Sequence, residues 1–193
     1  MHGLSAAIEN EDVAAGCPRA PLSRARIVEA AIALMDAEGI GALTMRRLGD
    51  ALSVRAMSIY KHFDNKEDVL QAVGEALYTE IEDGQMTGCP FEDVRAVMLA
   101  TCKMIERHPY MTTILACPRR APLWEDHRRR HAAALQAAGV SEDESYRGFG
   151  VMFRMIVGAA SVRGRERDGR DRGFIRFGVD AVISHLRAGA AKA

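Results

Sequence analysis

The chain has no pair of cysteines close enough in sequence to act as a metal clasp. Cys17, Cys89, Cys102 and Cys117 lie far apart, whereas zinc sites draw on clustered ligands. No metal is expected, and the cysteines read as small buried hydrophobes in a reducing compartment. No apolar run approaches the roughly 18 residues that span a bilayer, so no membrane contact is expected. Residues 1–20 lack the basic-then-apolar order of a secretory leader, which points to the cytoplasm. There is no Gly-rich phosphate loop, no Gly-x-Ser-x-Gly elbow and no His–carboxylate constellation. That argues against an enzyme, and no cofactor is expected. An excess of basic charge is missing too: Lys+Arg and Asp+Glu both number 26. Any contact with a polyanion must therefore come from a local surface. Alternating β-branched runs and internal repeats are also absent, so strands are not needed anywhere.

What is present is helix after helix, with 48% apolar residues to bury. The expected fold is all-α. Residues 1–20 read as a disordered tail. Over 23–38, Ile27, Ala30, Ala31, Leu34 and Met35 make one apolar stripe, stopped by Gly39 and Gly41. Thr44 is placed to cap a short helix over 45–52, and a second short helix is expected over 55–62. Asp64 and Glu67 have the spacing of a capping box, in which two orphan donors are satisfied reciprocally. They open a long helix to about residue 83. Further helices are expected over 90–107, 110–116, 123–138 and 174–188. Ser141 and Glu144 form a second capping box and launch a helix to about residue 163. The charged, Gly-rich run 164–173 reads as a mobile surface loop.

Residues 43–66 carry the first functional signal. Two short helices joined by a tight break at Ser53 and Val54 make a helix-turn-helix. Leu48, Leu52, Val54 and Ile59 can lock the pair against the first helix. The second helix suits a major groove: Arg55, Met57 and Ser58 project from its start, and Tyr60 and Lys61 follow where phosphates would lie. Lys66 begins the next helix, whose N-terminal dipole also favours a phosphate. Arg46 can reach a base or a phosphate, and either Arg46 or Arg47 belongs to a solvated face. Phe63 reads as core, having no donor to offer. Residues 21–68 are balanced in charge, so charge alone does not mark this segment.

The stretch from Ser23 to about Glu80 resembles the DNA-binding domain of the tetracycline-repressor family. The resemblance rests on Ile27, Ala30, Ala31 and Leu34, then Gly39, Leu43-Thr44 and Leu48. It continues through Ser58-Ile59-Tyr60-Lys61-His62-Phe63 and Asn65-Lys66-Glu67-Asp68-Val69-Leu70. It implies DNA contacts from Arg46, Arg55, Ala56, Met57, Ser58, Tyr60, Lys61, His62 and Lys66. Four positions depart from the family pattern. Met45 stands where a hydroxyl residue often holds a phosphate, and Ser53 replaces a turn glycine. Met57 and Ala56 offer few hydrogen bonds, so base reading leans on thymine methyls and Arg55.

The C-terminal helices read differently. The helix over 142–163 is apolar on several faces, with Tyr146, Phe153 and Val157 on one stripe. The last helix carries Phe174, Phe177, Val182 and Leu186. Both need more cover than one chain provides, and pairing with the same helices of a second copy supplies it as a four-helix bundle. Gly148, Gly150, Gly158 and Gly178 would let backbones approach. The resemblance agrees, because the family dimerises through its last two helices. Between head and dimer face, Met98, Met104, Tyr110, Met111, Trp124, Phe149, Met152 and Met155 can line an effector pocket or serve as plain core. His108 can line the same pocket or cap its helix. His127 and His131 have metal-binding spacing, but a solvated basic face fits them better.

The expected organisation is a tail (1–20), a three-helix helix-turn-helix DNA-binding domain (21–68) and a helical ligand-binding and dimerisation domain (69–193). The expected function is a homodimeric repressor that binds an inverted-repeat operator in double-stranded DNA and is released by a small hydrophobic effector. A constitutive DNA-binding protein without ligand, or a co-repressed or activating regulator, is the alternative.

Overall fold

Ser23 sets the start of the first helix: its hydroxyl accepts the Arg26 amide at 3.3 Å, satisfying one orphan donor. The computed structural model describes residues 21–82, 87–117, 121–162 and 169–191. These form helices and no strand. The expected tail, Cys17 and residues 164–168 of the expected 164–173 loop lie outside the described residues. In chain order the helices are α1 (Arg24–Glu38), α2 (Met45–Leu52), α3 (Ala56–Ile59), α4 (Lys66–Glu82) and α5 (Pro90–Arg107). They continue with α6 (Met111–Ala116), α7 (Ala121–Ala137), α8 (Glu142–Val162) and α9 (Gly169–Ala190). None is long and apolar enough to cross a membrane, among the described residues.

The head is α1 to α3 packed on the start of α4. Its core is Ile27, Ala31 and Met35 from α1, Leu43 and Leu48 around α2, Ile59, Phe63 and Val69. Thr44 caps α2, accepting the Arg47 amide at 3.1 Å. The chain then turns through Ser53 in the left-handed region, φ 56° and ψ 40°. α4 packs on α1 at one end and on α5, α6 and α7 at the other, so the boundary expected at residue 68 falls inside its first turn. The rest is a second helical layer in which α8 lies against α5, α7 and α9.

Several boundaries differ from the sequence reading. The second short helix is one turn only, Ala56–Ile59, and then relaxes into a turn closed by the His62 and Phe63 amides on the Ile59 carbonyl, at 2.8 and 3.1 Å. The reciprocal cap of α4 is shifted by one residue. Asn65 Oδ1 accepts the Asp68 amide at 3.0 Å, and Asp68 Oδ2 accepts the Asp64 amide at 3.2 Å. α9 begins at Gly169, so residues 169–173 of the expected loop are helical. Cys102 is buried as expected, but Cys89 is exposed.

Candidate nucleic-acid interface

The geometry of the reading segment starts at Gly49. A Cβ there would stand 2.8 Å from the Val54 carbonyl oxygen and 3.2 Å from the Ala56 amide. Only a glycine lets α2 approach the turn this closely, and the Val54 amide donates back to the Gly49 carbonyl at 2.9 Å. An isolated glycine inside a helical pattern is the sequence signal for such a contact. Ser53 then reverses the chain with positive φ, the one described non-glycine residue to do so.

This turn leaves one face open. Arg46, Arg55, Met57, Tyr60 and Lys61 are exposed, Met57 by 72% and Tyr60 by 44%. Ala56, Ser58, His62 and Lys66 are half-buried beside them. Arg46 and Arg55 flank a shallow hollow of ≈ 530 Å³ over the turn, with Asp50 and Ser53 on its rim. Among the described residues, the side chains of Arg46, Arg55, Lys61 and Lys66 have no hydrogen bond or ion pair, which leaves their donors available. Arg47 is committed elsewhere, to Glu38 at 2.5 Å. The Arg47 guanidinium hydrogen bond also holds the Glu38 carboxyl below its usual range. Arg46 is thus the free member of the pair.

Arg24 is structural. Its guanidinium donates to the His62 carbonyl and lies 4.0 Å over the Phe63 ring, pinning the end of the reading segment to α1. Phe63 itself is 2% exposed. A second tie joins head to body. His108, at the end of α5, has Nδ1 2.7 Å from Asp36 Oδ1 on α1, and the Tyr110 hydroxyl lies 3.2 Å from the same nitrogen. Burial, and then the Asp36 carboxylate, push the Tyr110 phenol above its ordinary value. Sequence reasoning had no access to this bridge, which spans 72 positions.

The residues expected to line a pocket separate. Met104 and His108 line a half-open groove between α4 and α5. Met98, Met111, Phe149 and Met152 are fully buried, and Tyr110 nearly so. Met155 packs under Gly178 of α9, in the seam between the last two helices. The Trp124 side chain lies outside the described residues. His127 and His131 are a correction. They are 3% and 6% exposed, not solvated, because they extend the α7 stripe of Ala132 and Leu135 inward. Their rings pack at 4.6 Å on each other and at 6.1 and 6.2 Å on Phe149, and Tyr78 meets His127 edge-on at 5.4 Å. Burial pushes the Tyr78 phenol up.

Of the expected pairing residues, Phe174 and Phe177 are 61% and 73% exposed on α9, with Val151 of α8 55% exposed. Tyr146, Phe153, Val157 and Val182 are half-buried. Leu186 is a correction: it is 1% exposed and sits where a Gly148 Cβ would meet it at 2.9 Å. It belongs to the chain's own α8–α9 contact.

A helix-turn-helix head with free cations, carried on a larger helical body, defines a DNA-binding transcriptional regulator. Residues 27–73 match the model of the family described as bacterial regulatory proteins, tetR family, and the chain is similar to regulators of that kind over most of its length. An HTH-type transcriptional regulator of Saccharopolyspora erythraea is 28% identical over 169 residues, 86% of this chain and 70% of the relative. The transcriptional regulator SCO7222 of Streptomyces coelicolor, a TetR, superposes with a TM-score of 0.74 at 27% identity, over 87% of this chain and 99% of that one. BioQ of Mycobacterium smegmatis, solved with its natural double-stranded DNA operator, shares the fold with a TM-score of 0.68 at 23% identity, over 87% of this chain and 99% of that one.

Proposed function

We propose that the chain works in the cytoplasm as a homodimeric repressor. Two copies place their α3 segments in successive major-groove faces of an inverted repeat, and a small hydrophobic effector releases them. The observation that supports this most is the open face around the Ser53 turn, where Arg46, Arg55 and Lys61 have no partner among the described residues. Free donors on a rigid turn suit base edges and phosphates. Arg55 serves as the base-reading donor, with Met57 and Ala56 against thymine methyls and Ser58 beside them. Arg46, Tyr60, Lys61, His62 and Lys66 hold the backbone.

Pairing through α8 and α9 follows from the exposed Phe174 and Phe177, since large apolar side chains left in water mark an interface. Two-fold symmetry then matches half-sites about one helical turn, 34–36 Å, or a multiple apart. BioQ, which shares the fold, is solved with its double-stranded DNA operator. The body over 69–193 is the sensing and pairing unit, and 21–68 the DNA-binding unit.

The test is run-off transcription from a promoter carrying a DNA site selected by the protein. Repression predicts less transcript as protein is added, and more transcript would overturn it in favour of activation. Arg55→Ala and Arg46→Ala should each weaken binding to that site by about 1–3 kcal/mol, roughly 5- to 150-fold, measured by fluorescence anisotropy. Unchanged affinity in both would remove the assigned contacts.

A further inference from the structure

We propose that the groove between α4 and α5 is the effector site and that it takes an amphipathic anion: a carboxylate or sulfonate on an apolar chain or ring system. This rests on the regulator reading only for its effect on DNA, since binding itself is measured without DNA.

Along α5, Ala96, Ala100, Met104 and His108 recur every fourth residue and share one stripe. The two alanines leave a hollow where larger side chains would fill it. Leu77 and Ile81, one turn apart on α4, form the opposite wall, and the groove encloses ≈ 430 Å³. That lies within the range of about 300–1,000 Å³ found for small-molecule sites.

The rim is cationic. Arg95, Lys103 and Arg107 line the groove and no Asp or Glu does. Arg95 is fixed, its Nε and Nη2 donating to the two Asp180 oxygens at 2.6 and 3.3 Å. Lys103 and Arg107 are exposed, one turn apart, and engage no hydrogen bond or ion pair among the described residues. An apolar trough with two uncommitted cations at its edge attracts a molecule that is apolar at one end and anionic at the other.

The floor connects to the DNA-reading head. His108 is 7% exposed and is bound to Asp36 of α1. An occupant that displaces the imidazole acts on α1, and through the Arg24 contacts on the end of the reading segment. A ligand shifts an equilibrium only through contacts that differ between the two states, and the His108–Asp36 bond is such a contact.

The experiment is calorimetric titration of the full-length protein with decanoate, and with decanamide as its neutral counterpart. Saturable decanoate binding is expected, at least tenfold tighter than decanamide. Lys103→Ala with Arg107→Ala should weaken decanoate at least tenfold with an unchanged melting temperature, and Ala100→Leu should block both compounds. Asp36→Ala, which lies outside the groove lining, should retain decanoate binding while decanoate no longer changes DNA affinity. No decanoate binding, equal binding of decanamide, or unaltered binding in the rim and Ala100 variants would overturn the proposal. A protein that binds decanoate this way but enriches no DNA site would leave the groove standing and remove the repressor reading instead.

Discussion

A methyl group at Gly49 would press on backbone rather than on a side chain that can move aside. Gly49→Ala should therefore destabilise the head by about 1–3 kcal/mol, the usual cost of overpacking, and should weaken DNA binding with it. Differential scanning calorimetry and anisotropy on the same sample check both. Ser53 has the opposite sign. A left-handed residue with a Cβ costs roughly 1–2 kcal/mol, and glycine returns part of that through its larger unfolded entropy. Ser53→Gly should raise stability by up to about 1 kcal/mol. Asp93 is a different kind of constraint. Burial alone would raise its carboxyl, but the Thr87 hydroxyl and the Thr87 and Gly88 amides donate to it, with the His131 charge adding, and together they hold it low. Those bonds measure 2.6, 2.5 and 3.2 Å and tie the approach to α5 down. A carboxyl with a lowered folded value binds fewer protons folded than unfolded. Its stabilisation is full above the unfolded value of about 3.9 and is lost as pH falls through the lower folded value. Asp93→Asn should cost about 1–3 kcal/mol at neutral pH and flatten the acid limb below about pH 4 in urea melts. An equally steep limb in the variant would contradict this assignment.

Among the elements, α9 carries the clearest expectation. Phe174 and Phe177 stand three residues apart on its solvent side, and burying each against a partner is worth about 1.5–3 kcal/mol. Phe174→Glu with Phe177→Glu should weaken self-association at least a hundredfold in analytical ultracentrifugation, with helicity unchanged. A variant that stays dimeric would place the interface elsewhere. Most helices were legible in the sequence because a stripe at 3.6-residue spacing, a Ser or Thr cap and a glycine stop are local signals. The reading segment was legible for the same reason. What lies opposite a stripe is not local. His127 and His131 share their face with Leu135, which marks an inward surface, but the three arginines between them suggested water. Arg128 instead lies 4.7 Å over the Tyr146 ring, and Arg129 pairs with Asp126. The α4 cap moved one residue because Asn65 takes the Asp68 amide, and Asp68 takes the Asp64 amide that Glu67 was expected to reach. The His108–Asp36 bridge and the α4–α5 groove depend on how head and body meet, which no single window of sequence contains.

For the molecule as a whole, a net charge of zero means that DNA affinity comes from a few placed cations. Such binding should weaken with salt in proportion to the phosphates engaged, and a slope of log Kd on log salt unchanged by Lys61→Ala would exclude Lys61 from the phosphate contacts. α4 packs on α1 and on the helices of the body, and the His108–Asp36 bond also joins α1 to the end of α5. The measurement that tests the central claim most directly is selection of the purified full-length protein against a random double-stranded DNA pool at moderate salt, read by sequencing. The expected result is enrichment of an inverted repeat whose half-sites are one helical turn or a multiple apart. Enrichment of no sequence, from a protein that ultracentrifugation shows to be dimeric, would contradict it.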